Sequence, residues 1–243
     1  MVLPVSFSRE GRWELPHITR KIAEHVWAII TYEEAWKSFI NNYVIARDDR
    51  FLLIDTNLRK HRPYVQQALQ QIGVTEERIE QVFFTHRHPD HIGNAEMFPS
   101  RLNWIHLEDF FELDDFSQTL FGHTLTGKAG EVSGLSFKQL AAHTEGSVAY
   151  FDPASKICFI GDHLCFFAEP LGEVVGEEAE RRAQYLRFIA KWKEQEPEKV
   201  AAFREGVEAV LEWPVQLLAT GHGPILKGEI DLFLRAILTE LDS

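Results

Sequence analysis

The segment Thr-His-Arg-His-Pro-Asp-His-Ile-Gly-Asn holds a dense group of reactive side chains within a sequence of 243 residues. It places His86, His88, Asp90 and His91 within six residues. Three imidazoles and a carboxylate are costly to assemble unless a positive ion holds them, and this donor set suits zinc best among the common metals. The spacing therefore predicts a metal site in preference to a solvated polar loop with unrelated histidines.

The flanking elements explain how these side chains could converge. The apolar run Gln81–Phe84 predicts a strand that leads directly into the segment. Alternate residues of an extended chain point the same way, so His86 and His88 share one side. The residue before a proline is disfavoured in the helical region, which favours a turn at Pro89. Such a turn would bring Asp90 and His91 back toward His86 and His88. A short helix ending at Phe98 is predicted after the segment.

Four further motifs carry side chains of the same kinds. Asp55 follows the apolar run Phe-Leu-Leu-Ile, His143 stands in Ala-Ala-His-Thr-Glu-Gly-Ser, Asp162 follows Phe-Ile-Gly, and His222 stands in Ala-Thr-Gly-His-Gly-Pro. Together with the first segment, these motifs resemble the metallo-β-lactamase superfamily, whose signature is H-x-H-x-D-H at a strand end. They occur in the family's order, and the resemblance spans about residues 23–224.

The resemblance implies an α/β fold, the four-layer αβ/βα sandwich of the metallo-β-lactamase type, in which two similar halves face each other. The whole chain, residues 1–243, is expected to form a single domain of ordinary size. Between Asp162 and His222 the apolar residues keep helical spacing while charged residues fill the other faces. This pattern predicts a helical insertion at roughly residues 169–212.

Seven candidate donors are too many for one tetrahedral ion but suit two. By resemblance, one ion would be held by His86, His88 and His143, the other by Asp90, His91 and His222, and Asp162 would bridge them. A carboxylate between two cations offsets their mutual repulsion. We therefore expect two divalent metal ions per chain, with zinc favoured and iron or manganese left open, because geometry and supply decide the metal in cells.

Two carboxylates have additional predicted roles. Asp55 is expected to orient donor residues, as outer carboxylates do around zinc, although it could instead cap the turn formed with Thr56 and Asn57. Asp90 is the candidate catalytic residue, since a carboxylate beside the ions could handle a proton for the leaving group.

The predicted chemistry is hydrolysis. A water or hydroxide between two ions has its pKa lowered toward neutrality, while the ions polarise a carbonyl or phosphoryl oxygen. The resemblance thus implies a binuclear metal-dependent hydrolase with a metal-bridging hydroxide, acting on a small ester-like substrate: a thioester, a lactone or a related acyl bond.

Other members of the superfamily supply the alternatives. Hydroxyacylglutathione hydrolase continues well past the last histidine, whereas only 21 residues follow His222 here. Acyl-homoserine lactonases have a helper tyrosine shortly after the bridging aspartate, where this chain has Leu-Cys-Phe-Phe. Redox di-iron members carry a carboxylate at the position of His88 and an added flavin domain. A phosphodiesterase or nuclease, a β-lactamase and a non-catalytic binding module remain alternatives.

Aromatic residues in two regions are candidates for the substrate pocket. Trp36 and Phe39 belong to a loop that overhangs the metal site in the resembling family, with packing on the sheet as the alternative. A second set, after the bridging aspartate, could line an apolar pocket or belong to the core: Phe166, Phe167, Tyr185 and Phe188.

The composition is that of a globular protein, with 45% hydrophobic and 26% charged residues. No apolar run could span a bilayer, and the N-terminus lacks the pattern of a signal peptide. The net charge of -12 disfavours nucleic acids, whose binding needs Lys and Arg at phosphates. Two cysteines without C-x-x-C spacing favour a cytoplasmic location. We expect a small-molecule substrate and no membrane partner, and the oligomeric state is left open.

Hydrophobic periodicity assigns the remaining elements. Residues 1–22 predict an irregular lead-in, and residues 109–123 have no assignable shape. The predicted strands lie at 26–30, 43–46, 51–54, 104–107, 135–140, 147–151, 156–160 and 215–219, the first three antiparallel. The predicted helices outside the insertion lie at 63–72, ending at Gly73, and at 232–241.

Overall fold

The computed structural model of the chain describes residues 17–167 and 173–243, which form two mixed β-sheets of seven strands each. In order across the first sheet, its strands are β1 (His17–Ala23), β2 (Val26–Glu33), β3 (Ser38–Arg47), β4 (Arg50–Ile54), β5 (Ile79–Phe83), β6 (Asn103–His106) and β7 (His123–Leu125). Neighbours from β1 to β4 are antiparallel, and those from β4 to β7 are parallel.

The second sheet comes from the later part of the chain. Its strands are β8 (Ala129–Val132), β9 (Leu135–Gln139), β10 (Val148–Asp152), β11 (Ile157–Gly161), β12 (Val175–Gly176), β13 (Leu217–Thr220) and β14 (Ile225–Lys227). Across the sheet their order is β12-β14-β13-β11-β10-β9-β8. The parallel neighbours β11 and β13 are the strands that lead into Asp162 and His222.

Helices cover the outer faces of both sheets. They are α1 (Arg62–Ile72), α2 (Pro89–Ile92), α3 (Leu107–Phe111), α4 (Asp115–Gln118), α5 (Ala179–Gln195), α6 (Pro197–Leu211) and α7 (Ile230–Asp242). The first begins with a proline in its first turn and ends at Gly73, whose φ of 85° suits a residue without a Cβ. No helix of residues 17–167 and 173–243 is long and apolar enough to cross a bilayer.

Three apolar layers hold this arrangement together. Between the sheets lies a core that includes Phe83, Tyr150 and Phe159. On the outside of the first sheet, α1 packs through Val65 and Leu69. On the outside of the second sheet, a third layer joins it to α5, α6 and α7. The four-layer αβ/βα sandwich expected from the resemblance is therefore confirmed.

Two buried tyrosines connect the two sheets by hydrogen bonds at the ends of β13 and β5. Tyr43 donates a hydrogen bond of 2.6 Å to the carbonyl oxygen of Thr220, at the end of β13. Tyr150 donates one of 2.9 Å to the carbonyl oxygen of Phe84, just after β5. Burial raises the pKa of both phenols, so both remain protonated donors.

The structure corrects several local predictions. Residues 17–22, predicted as irregular, belong to the edge strand β1, while the rest of that lead-in lies outside the described residues. The predicted helix ending at Phe98 is replaced by the four-residue α2 and a 3-10 turn at Ala95–Met97. Residues 169–172 of the predicted insertion lie outside the described residues, and the described remainder holds two helices and also β12, which pairs with β14. A two-residue strand has no periodicity to detect.

Candidate metal centre

The seven predicted donors lie together at one end of the sandwich, where loops from both sheets meet. His86, His88, Asp90 and His91 follow β5, His143 follows β9, Asp162 directly follows β11, and His222 follows β13. Both halves of the chain are therefore needed to complete the site.

The first donor group consists of His86, His88 and His143. The Nδ1 atom of His88 lies 3.0 Å from His86 Nε2 and 2.9 Å from His143 Nε2. Imidazole nitrogens bound tetrahedrally to one zinc ion lie about 3.3 Å apart, given bonds of about 2.05 Å. The spacing of the first group is close to that edge length, and its three nitrogens all lie within 4.8 Å of one another.

The second donor group consists of Asp90, His91, Asp162 and His222. His222 Nε2 lies 3.1 Å from Asp90 Oδ2 and 3.2 Å from Asp162 Oδ2. His91 Nε2 lies 3.4 Å from Asp90 Oδ2 and 3.3 Å from Asp162 Oδ1. This group has the same spacing as the first, but it is more deeply buried and contains two carboxylates.

Asp162 lies between the two groups. Its Oδ2 is 3.6 Å from His143 Nε2 and 4.0 Å from His86 Nε2, in addition to its contacts in the second group. Two of the buried atoms, His91 Nε2 and Asp162 Oδ1, have no hydrogen-bond partner among the described residues. Buried polar atoms are almost always satisfied, so this pair fits the ligands of a cation. The residues present therefore suit two metal ions with a shared carboxylate.

Glycine makes the position of Asp162 possible. A Cβ atom on Gly221 would lie 2.1 Å from Asp162 Oδ1 and 2.9 Å from His91 Cε1, closer than real contacts allow. Gly161 has a φ of 55°, and a Cβ there would lie 2.8 Å from the side chain of Thr85. The two glycines let β11 and β13 approach the histidine loop closely enough to complete the second group.

Asp55 contacts that loop in the way expected of an orienting carboxylate. Its oxygens accept hydrogen bonds of 2.8 Å from the backbone N–H and the hydroxyl of Thr85. Its Oδ2 also lies 2.8 Å from His91 Nδ1, so the other ring nitrogen of His91 faces the centre. Asp55 itself has a φ of 58°, an uncommon conformation for a residue other than glycine.

His222 is oriented by the main chain. Its Nδ1 donates a hydrogen bond of 2.8 Å to the carbonyl oxygen of Phe39, which leaves Nε2 toward the donors. The Phe39 side chain is 1% exposed and packs in the core between the sheets, which is the alternative that the sequence left open for this residue. Trp36 and Phe167 are exposed and flank the His222 ring, with centroids 6.1 Å and 4.6 Å away.

The two donor groups also differ in the direction in which the pKa values of their histidines are shifted. Burial lowers the pKa of His86, which the neighbouring imidazoles lower further. Burial also lowers the pKa of His222, but the carboxylates of Asp162 and Asp90 outweigh it and raise that pKa to about 9. Burial raises the pKa of Asp162, and the nearby His222 and His91 outweigh it and hold that pKa well below its usual range. The second group is therefore an environment that favours positive charge.

Asp109, on α3, contributes to the site although the sequence did not predict it to do so. Its buried carboxylate accepts hydrogen bonds from the backbone N–H of Arg87 at 2.8 Å and from the Arg87 guanidinium at 2.6 Å. It also accepts from Thr144 Oγ1 at 2.8 Å and from the Gly146 N–H at 3.0 Å. Arg87 lies between His86 and His88, and Thr144 follows His143. Asp109 thus connects the two loops of the first group, and no spacing in the acidic segment 109–123 indicated it.

A cavity of about 500 Å³ lies beside the centre and reaches the insertion. The predicted pocket residues that line it are Phe166, Phe167, Tyr185 and Phe188. Two donors, His143 and Asp162, also contribute to its wall. Phe166 is both a cavity wall and a core residue, since it is 5% exposed and packs against Tyr185 with ring centroids 5.1 Å apart.

Comparison with known proteins places this geometry in context. A family model described as the metallo-beta-lactamase superfamily matches residues 35–237. No curated protein sequence matches the chain. The fold is similar to a flavoprotein from Thermotoga maritima, with a TM-score of 0.74, 16% identity, and coverage of 92% of this chain and 60% of that one.

Two other solved structures are similar. The metal-soaked flavodiiron core Flv1 from Synechocystis gives a TM-score of 0.75 and 14% identity over 93% of this chain and 61% of that one. The DIM-1 metallo-beta-lactamase gives a TM-score of 0.63 and 16% identity over 94% of this chain and 98% of that one. The chain thus spans about three fifths of the two flavoproteins and nearly all of the lactamase.

Proposed function

Because the chain belongs to the metallo-β-lactamase superfamily, we propose that it is a binuclear metal-dependent hydrolase that cleaves a small ester-like bond: a thioester, a lactone or a related acyl bond. The observation that carries this proposal is the Asp162 carboxylate between two groups of donors, each spaced for a divalent ion. Two bound ions would supply an activated water and polarise the oxygen of the bond to be cleaved.

The donors and the groups that orient them have different roles in the proposed reaction. The first group presents three neutral imidazoles at the open side of the site, where a substrate carbonyl can approach. Asp55 and the Phe39 carbonyl hold the rings of His91 and His222 in one orientation, so the donors need no reorganisation when substrate binds. Zinc suits this nitrogen and oxygen donor set, and iron or manganese are distinguishable outcomes of metal analysis.

Asp90 is proposed to move a proton. Burial raises its pKa, but the nearby imidazoles of His222 and His91 outweigh burial and hold the pKa well below its ordinary value. The carboxylate is therefore ionised at neutral pH and can accept a proton at an oxygen and pass it to the leaving group. Because Asp90 is also a donor, Asp90→Asn should weaken the ion of the second group, and it should lower kcat even when excess metal keeps both sites filled. Full turnover by a fully loaded Asp90→Asn protein would remove this role, and Asp231→Asn on the exposed face of α7 is the matched control.

A small acyl substrate is favoured over a polyanion for two reasons. The net charge of -12 opposes binding of nucleic acids, which depends on Lys and Arg at phosphates. The lining of the cavity beside the centre includes six Phe, Tyr and Trp side chains, which suit an apolar group.

The test combines metal analysis with a substrate panel. Protein purified without added metal should contain about two ions per chain. It should hydrolyse an ester, thioester or lactone with chelator-sensitive kinetics, and a β-lactam and a phosphodiester more slowly. A preference for the phosphodiester or the β-lactam would replace the proposed bond class. Fewer than one tightly bound ion in protein reloaded with zinc would overturn the binuclear centre.

A further inference from the structure

The cavity beside the metal centre is built by the insertion and opens directly onto the donors. His143 and Asp162 contribute to its lining, and so do residues of α5 and α6, among them Ile189 and Phe203. Its volume of about 500 Å³ falls within the range of roughly 300–1,000 Å³ found for small-molecule sites. A group held there would adjoin a bond positioned at the centre.

One part of the cavity lining is a cluster of aromatic side chains. Tyr185 lies between Phe166 and Phe188, with ring centroids 5.1 Å and 5.8 Å away. Deeper in the insertion, Trp192 packs edge-on against Phe203 at 5.3 Å. Surfaces of this kind gain free energy from apolar groups because they remove apolar area from water, and an aromatic face offers little to replace the hydration of a charged group.

The charged residues of the wall are already paired. Arg181 Nε lies 3.2 Å from Glu178 Oε2, and Lys199 Nζ lies 2.9 Å from Glu196 Oε2. Each cation therefore has a neighbouring carboxylate that competes with any anionic group on a ligand. The carboxylate neighbours reduce the pull of these two cations on an anionic ligand, and the aromatic part of the lining is the part that suits an apolar group.

We propose that this cavity binds a neutral, apolar acyl group of the substrate, so that the protein prefers acyl chains of medium length over acetyl groups and over chains with a charged end. This inference rests on the proposed function for the bond that is cleaved. The occupancy of the cavity by an apolar chain can be measured without turnover.

The first experiment measures binding to the zinc-loaded full chain by calorimetry. The probes are acetate, octanoate and octanedioate, which share one carboxylate and differ in chain length and in the charge at the far end. Each buried methylene adds roughly fourfold to affinity, so octanoate should bind at least about 100-fold more tightly than acetate even if burial is partial. Octanedioate should lose most of that gain. Equal binding of acetate and octanoate would overturn the inference.

The second experiment fills the cavity from its rim. Gln184 is exposed on α5 and lines the cavity, so Gln184→Trp adds bulk without replacing a core residue. Arg187→Trp, an exposed position on the same helix that does not line the cavity, is the matched control. Gln184→Trp should reduce octanoate binding at least about tenfold and leave acetate binding unchanged. Arg187→Trp should change neither, and an equal effect of both variants would overturn the inference. The melting temperature verifies that each variant is folded.

Kinetics separates this inference from the proposed function. With 4-nitrophenyl esters, the ratio of kcat/KM for octanoate to acetate should fall at least about tenfold in Gln184→Trp, through the octanoate value alone. Turnover of both esters at equal rates would support the hydrolase and overturn the chain preference. Selective binding of octanoate by a protein that holds two ions but cleaves no ester, thioester or lactone would support the cavity and overturn the hydrolase.

Discussion

The two donor groups differ in exposure and in charge. The first consists of imidazoles alone, and the side chain of His143 is 33% exposed. The second is buried and contains Asp90 and Asp162 beside its two imidazoles. Burying carboxylates is costly unless positive charge compensates them, so the second group gains more from a divalent cation than the first. We therefore expect the second group to hold its ion more tightly and the first to exchange its ion more readily.

The groups also differ in how they are held. The loops of the first group are joined by one buried side chain, Asp109, through Arg87 and Thr144. The second group is positioned by Asp55 and by a main-chain carbonyl at Phe39, which no side-chain substitution removes. An open group that depends on a side-chain clamp thus lies beside a buried group supported by the core.

The largest expected effect comes from the residue common to both groups. Asp162→Asn keeps the shape but removes the shared negative charge, so both ions should be weakened together. Hydrolysis should fall by roughly 10²–10³-fold or more. Elemental analysis beside kcat/KM measures both effects, with the exposed Asp231→Asn as control. Retention of two tightly bound ions by Asp162→Asn would mean that the groups are independent.

Removing one imidazole from each group tests whether the two ions differ in affinity. His143→Ala should leave about one ion per chain, held as tightly as in the parent protein. His222→Ala should weaken the tighter ion, on the order of 10²-fold or more, since loss of a donor exceeds the loss of an outer partner. Dialysis against a graded series of chelators measures the two affinities. If both variants lose the same ion, the assignment of tight and weak sites is wrong.

Substitution of either of two carboxylates outside the donor groups should weaken one ion only, and by less than the loss of a donor does. Asp109→Asn should weaken the more labile ion by roughly 10–100-fold, because it loosens the loops of His86 and His143. Asp55→Asn should weaken the tighter ion by roughly the same factor, because it frees the ring of His91. Each variant is the control for the other in the chelator series. A similar loss of both ions in Asp109→Asn would indicate a general loss of structure.

The smallest effect is expected at Phe39. Phe39→Leu should lower the free energy of unfolding by about 1–2 kcal/mol through lost core packing. The affinity for both ions should be unchanged, because the carbonyl that accepts from His222 remains. Denaturant unfolding and metal titration measure the two quantities. A selective loss of the tighter ion would show that the side chain, too, positions His222.

The sequence predicted those features whose residues are neighbours in the chain or follow a periodic apolar pattern. The donors after β5 are adjacent in the chain, and the buried strands carry the apolar pattern that predicts them. Asp109 could not be predicted in this way because its partners are 22 to 37 residues distant and meet it only in the folded state. The hydrogen bond from His222 to the Phe39 carbonyl could not be predicted because a carbonyl oxygen has no sequence signal, and the choice between core packing and a substrate contact for the Phe39 ring depends on the fold. The edge strand β1 was missed because its exposed, charged residues lack a clear apolar alternation.

The hydroxyls of Tyr43 and Tyr150 have a consequence for the order of assembly. Each joins one half of the sandwich to the end of a strand in the other half, at the strands that precede His222 and His86. These contacts require no ion, and they bring the two halves together with a separation of 177 residues along the chain in one case and 66 in the other. These hydrogen bonds dock the halves through groups other than the candidate donors, so we expect the apoprotein to assemble the site before any ion binds.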